Sequence, residues 1–88
     1  MSKASIKNLL MQAEDSEQKY EWLLAAELYK KASSIAKKRN SWLKAAKLCK
    51  KIGFCYFRAA YQAEDYPEYE ERIKLAAKAY EKESDLLK

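Results

Sequence analysis

An all-α fold, an antiparallel array of four helices, is what this sequence predicts, and three observations predict it. One glycine and one proline in 88 residues leave almost no material for hairpin turns, which removes an all-β chain. Hydrophobic residues at 49% and charged residues at 35%, drawn mainly from Ala, Leu, Lys and Glu, are the composition of packed amphipathic helices. Apolar residues recur every three or four positions, the period of a helix with a buried face. A chain of this length makes one domain, 1–88, able to hide roughly 60% of its unfolded surface and to fold without metal or disulfide. The abrupt Asp85-Leu86-Leu87-Lys88 end is also what the N-terminal part of a longer helical-repeat protein would show.

The first helix is expected over about 3–14, where Ile6, Leu10 and Ala13 open an apolar stripe. Asp15-Ser16, with Gln18 three residues after Asp15, reads as a cap that starts a second helix, 16–38. The stripe runs on through Tyr20 and Leu24, so a single helix over 5–38 is the alternative. Arg39-Asn40-Ser41 supplies basic residues to close that helix, Asn40 for a left-handed stop and Ser41 to cap the next. The third helix, 41–64, carries the stripe Trp42, Ala45, Cys49, Ile52, Tyr56, Ala59 and Ala63, with Leu43, Ala46, Gly53, Phe57 and Ala60 beside it. An apolar arc this wide belongs to a helix packed on two sides. Gly53 costs about 1 kcal/mol in a helix relative to Ala, so it is expected where another helix crosses closely, with a break there as the alternative. Asp65 and Glu68 then form a capping-box pattern, and Pro67 sits in a first turn where its missing donor costs nothing. The fourth helix, 67–87, carries apolar positions Tyr69, Ile73, Ala76, Tyr80 and Leu87 every three or four residues, with Glu70 and Lys74 as a surface pair.

The chain contains a repeat. Trp22-Leu23-Leu24-Ala25-Ala26-Glu27-Leu28-Tyr29-Lys30-Lys31-Ala32 matches Trp42-Leu43-Lys44-Ala45-Ala46-Lys47-Leu48-Cys49-Lys50-Lys51-Ile52 at seven of eleven positions, and Leu75-Ala76-Ala77-Lys78-Ala79-Tyr80-Glu81-Lys82 echoes it. Paired alanines let two helix backbones approach, and the large residue one turn on fills the space beside them. Such helices cannot hide their apolar faces alone and stack as antiparallel neighbours. Trp22 and Trp42, each near a helix start, are expected to anchor the hairpin by packing.

Charge is the sharpest functional signal. The net charge is +5, and no Asp or Glu occurs between Leu28 and Ala63, a window holding ten basic residues. Residues 1–58 carry 13 basic and five acidic side chains, residues 59–88 five and eight. Lys37, Lys38, Arg39, Lys44 and Lys51 are therefore expected to form a basic edge around the 39–41 turn, attracting an acidic helical partner or anionic lipid headgroups. The competing reading is a solvated face whose lysines pair loosely with the acidic last helix. Phe54, Phe57 and Tyr61 share one side of the third helix, as core or as a groove for a partner helix. Nucleic acid is not the expected partner, because the basic residues lie on core-bearing helices and match no recognition motif.

Catalysis is not expected, and neither a cofactor nor a metal is implied. There is no histidine, and the acidic group Glu64, Asp65, Glu68, Glu70 and Glu71 reads as a solvated helix start. Cys49 and Cys55 are six apart, roughly 9 Å of helical rise and on different faces, beyond bridging distance. They read as small buried hydrophobes in a reducing cytoplasm. The N-terminus lacks a signal-peptide core, so a cytoplasmic protein, at most peripheral to a membrane, is expected.

The residues also carry a family resemblance. Trp42-x-x-Ala45-Ala46-x-x-Cys49 resembles the first helix of a tetratricopeptide repeat, and Ala25-x-x-x-Tyr29-x-x-Ala32 the second. The tryptophans are 20 residues apart rather than about 34, which makes irregular relatives the better likeness. Ala25 through Ala32, then Ser41-Trp42-Leu43-Lys44-Ala45-Ala46, are similar to the N-terminal part of the soluble NSF attachment protein family. That likeness implies a tetratricopeptide-like adaptor gripping acidic helical bundles with basic side chains. Residues 22–87 also resemble the MIT domain, a three-helix bundle. This implies instead an apolar groove at Ile73, Ala76, Ala77 and Tyr80, holding a short helical motif of an ESCRT-type partner.

Overall fold

The computed structural model describes residues 5–88. Four helices, α1 (Ile6–Gln18), α2 (Trp22–Lys38), α3 (Trp42–Tyr61) and α4 (Tyr66–Leu86), make an all-α antiparallel array in which each helix packs on the next in sequence. The molecule measures 40 × 32 × 18 Å, and the shortest dimension fits two helix layers spaced about 8–10 Å apart. Helix α1 also reaches α3 across α2, through Glu17 to Lys51, and α2 faces α4 across α3. The zigzag leaves one cleft between α1 and α3 above α2, and another between α2 and α4 above α3.

The first boundary departs from expectation. Asp15 and Ser16 lie inside α1, with Ser16 buried, so they do not start a helix, and the single 5–38 helix is not formed. The chain breaks at Lys19-Tyr20-Glu21 instead. Tyr20 takes φ 63°, the Glu21 N–H donates to the Ser16 carbonyl at 2.8 Å, and the Tyr20 N–H to Glu17 at 3.0 Å. Those two bonds satisfy the last carbonyls of the helix with a left-handed residue between them. Twenty residues on, the turn is repeated. Asn40 takes φ 58°, the Ser41 N–H donates to Ala36 at 2.9 Å and the Asn40 N–H to Lys37 at 3.0 Å. Asn40 is thus the left-handed stop expected of it. Ser41 does stand at the start of α3, but its side chain caps nothing.

Side chains hold the other two helix starts. Ser5 accepts from the Asn8 N–H at 3.1 Å. Asp65 accepts from the Glu68 N–H at 3.0 Å, while the Glu68 carboxylate reaches back to the Glu64 N–H at 3.2 Å. Pro67 sits in the first turn. Glu68 also pairs with Arg72 at 3.4 Å; Glu70 and Lys74 form no ion pair. Arg72 donates to the Ala59 carbonyl at 2.9 Å, which ties α4 to the end of α3.

Helix α3 is the centre of the core and runs unbroken through Gly53. A Cβ at Gly53 would lie 2.9 Å from the Tyr80 ring, so the glycine marks the crossing of α3 and α4. Ala45 and Ala46 are buried, as the repeat requires, along with Cys49, Ile52, Tyr56, Ala59 and Ala60. Both cysteines are free and buried. Trp22 is buried as a packing anchor would be, but Trp42 is 48% exposed. No described helix is long and apolar enough to cross a membrane.

Candidate functional site

The expected basic edge is divided by the fold. Residues 37 and 44 are close in sequence but leave their helices in different directions. Lys37 lines the α2/α4 cleft. Lys44 and Lys51 line the α1/α3 cleft, which opens on the other face. Lys38 and Arg39 are exposed at the turn and line neither. Lys51 is also paired, with its ammonium 3.5 Å from the Glu17 carboxylate, an acid that lies outside the acid-free window and is brought in by the α1 crossing. Pairing of the hairpin lysines with the acidic last helix does not occur among the described residues.

The α2/α4 cleft is the denser site. Its volume is about 380 Å³. Lys30 and Lys37 rise from α2, Lys78 and Lys82 from α4, and the floor is Cys49, Ile52 and Tyr56 of α3. Lys30 and Lys37 are seven apart on α2, and Lys78 and Lys82 four apart on α4, so each pair shares a helix face. One acid borders the cleft. Glu27 accepts from the Tyr56 hydroxyl at 3.3 Å and lies 3.7 Å from the Lys30 ammonium. Burial raises the Tyr56 phenol above its ordinary value, so it stays a donor at neutral pH. Lys37, Lys78 and Lys82 have no carboxylate within 4 Å among the described residues. The sequence window pointed to Lys37 but missed Lys78 and Lys82, which belong to a helix of net negative charge. The signal was present in their spacing.

The α1/α3 cleft, about 430 Å³, combines Lys44, Lys47 and Lys51 with Leu10, Leu43 and Glu14 above Tyr29. Beneath it lies a polar knot. The Tyr29 hydroxyl donates to Glu17, which also receives Lys51 and stands 4.0 Å from the Cys55 sulfur. Burial and the neighbouring Glu17 carboxylate push the Cys55 thiol up to about 12 and the Tyr29 phenol well above its usual range. Neither thiolate nor phenolate is available for chemistry near neutral pH. Cys49 sits against the Ser33 hydroxyl at 3.8 Å. No three His, Cys, Asp or Glu side chains converge on a metal-sized space among the described residues.

The alternative groove is also redistributed. Ala76 is buried against α3, Ile73 is half-buried, Ala77 is exposed, and Tyr80 lies over Gly53 with 40% of its surface exposed. The aromatic side of α3 is not core. Phe54 meets Trp22 edge-on at 5.7 Å, under Arg58 at 5.4 Å from the indole, and Phe57 meets Tyr61 at 5.1 Å, while all three α3 aromatics remain substantially exposed.

Comparison with protein-family models, with curated proteins and with solved structures finds no match to this chain.

Proposed function

We propose that this chain is a non-enzymatic docking module that receives an acidic amphipathic helix in the α2/α4 cleft. The observation that carries this is the pairing of an apolar floor, Cys49, Ile52 and Tyr56, with a rim of four lysines, three of them without an acid. A helix lying there would set an apolar stripe on the floor and carboxylates against both rims, the usual mode for a helix in a groove. Lys38 and Arg39, exposed at the end of α2, extend the positive field and steer the approach. The likeness to tetratricopeptide-like adaptors agrees with this reading.

Charge reversal tests it. Lys37→Glu with Lys78→Glu and Lys82→Glu should leave helicity and melting nearly unchanged. Affinity for an acidic amphipathic peptide should fall by about tenfold or more, with the salt dependence flattened. Lys44→Glu, on the other face, should have little effect. Equal losses from both sets would place the partner elsewhere.

A further inference from the structure

The repeat assigns each helix a face for its successor, and in α4 that face is uncovered. Three positions recur in α2, α3 and α4: Ala25, Ala45 and Ala76; Ala26, Ala46 and Ala77; Tyr29, Cys49 and Tyr80. The first position is buried in every helix. The second is buried in α2 and α3 but exposed in α4. The third is 1% exposed at Tyr29, 3% at Cys49 and 40% at Tyr80. The same residue types in the same local structure thus differ by what lies against them.

A second regularity says what is missing. Seven residues after the second alanine, each helix carries a small residue on the same face: Ser33, Gly53 and Ser84. The third-position residue of the following helix lands on it. The Cys49 sulfur lies 3.8 Å from the Ser33 hydroxyl, and the Tyr80 ring stacks on Gly53. Ala77 and Ser84, both exposed, are therefore a seat for one more helix, with its own third-position residue over Ser84. Beside this seat a cleft of about 560 Å³ is walled by Lys47, Lys50, Lys51 and Phe54 of α3 and by Tyr80. Lys47 and Lys50 have no carboxylate within 4 Å among the described residues.

We infer that the outer face of α4, Ala77 and Ser84 with Ile73 and Tyr80, docks a helix from a partner protein that bears a small-residue stripe and carboxylates on the flank facing Lys47 and Lys50. A second copy of this chain fits poorly. Setting Tyr80 of one copy over Ser84 of another, antiparallel, leaves the first half of α4 unpaired. The seat is separate from the α2/α4 cleft, so either reading can fail without the other.

The probe is a synthetic peptide of the α2 sequence, Trp22–Lys38, with Lys30, Lys31, Lys37 and Lys38 replaced by glutamate, titrated into the full chain by fluorescence anisotropy. Ala77→Arg adds bulk at an exposed site without adding negative charge, so its effect reports packing; it should weaken binding by about tenfold or more. Lys47→Glu with Lys50→Glu should weaken it about fivefold or more and flatten its salt dependence. Lys7→Glu, on the exposed side of α1, should leave it within about twofold, whereas a loss confined to Lys37→Glu with Lys82→Glu would place the peptide in the α2/α4 cleft and overturn the seat. Circular dichroism confirms that each variant keeps its helicity. The inference is overturned if the peptide does not bind at about millimolar concentration, if Ala77→Arg binds it as the parent does, or if the parent alone is a dimer that Ala77→Arg dissociates, since the occupant would then be a second copy.

Discussion

The turns that open the two copies of the 20-residue unit share their backbone dihedrals, yet the copies pack differently. Lys19 and Arg39 take φ, ψ of −92°, 5° and −93°, 6°, and Glu21 and Ser41 take −92°, 72° and −90°, 72°. Each turn then delivers a tryptophan to the first position of a helix. Trp22 is 8% exposed, covered by Phe54 and Arg58 of α3, whereas Trp42 is 48% exposed with no aromatic or cationic side chain upon it among the described residues. In the register that sets Tyr80 on Gly53, the position opposite Trp42 falls beyond Leu86, the last residue of α4. Local sequence repeats local geometry, but burial depends on the helix that comes later.

The largest expected effect contrasts the second alanine of two copies. Ala46→Trp drives an indole into the α3/α4 seam and should abolish the cooperative melt, because a packed core admits extra volume only by distorting its neighbours. Ala77→Trp, at the equivalent but uncovered position, should melt within a few degrees of the parent. Similar losses from both would contradict the open α4 face.

The tryptophans come next. Trp22→Ala removes a buried ring and should cost about 3 kcal/mol, while Trp42→Ala should cost less than about 1 kcal/mol, both read from urea melts. Equal costs would erase the distinction between the copies.

A smaller contrast lies in proton linkage. Tyr29 is knotted to Glu17, whereas its counterpart Cys49 meets only a hydroxyl. Cys55 and Tyr29 hold their protons in the folded chain above their ordinary values of 9.0 and 10.0. The unfolded chain therefore releases protons first as pH rises. This contribution to stability is complete below pH 9 and is lost progressively as pH climbs toward the folded values. The melting temperature should fall by several degrees between pH 9 and 11. Cys55→Ala with Tyr29→Phe should flatten that fall, and an unchanged slope would remove the knot as its cause.

The smallest effect is in the turns. A tyrosine at φ 63° is costlier than an asparagine at 58°. Tyr20→Gly should gain about 0.5 kcal/mol and Asn40→Gly close to nothing. A loss at Tyr20 would mean that its ring, 6.4 Å from Trp22, contributes more than the backbone strain it carries.

Much of the fold was legible because repeats and caps act within one turn of helix. The Arg39-Asn40-Ser41 stop and the Asp65 cap follow from residues acting on near neighbours, and a glycine inside an apolar helical stripe is itself a local mark of a close crossing. The first break was misplaced because Asp15-Ser16 mimics a cap. Carrying the 20-residue offset back from Asn40 points to Tyr20, a signal weakened by a residue type that seldom turns left-handed. The candidate site was less legible. Proximity in sequence grouped Lys37 with Lys44 and Lys51, yet the fold sends them to different faces.

The sequence by itself determined the helices, their order and the faces that pack, since propensity, capping and apolar period are properties of a few adjacent residues. Tertiary structure alone decided which lysines share a cleft, that Glu17 reaches Lys51, that Trp22 is covered and Trp42 is not, and that Ala77 stays open while Ala46 closes. Those outcomes depend on the register between helices. That register is set jointly by small residues such as Gly53 and by large ones such as Tyr80, far along the chain from each other, and no local window contains both.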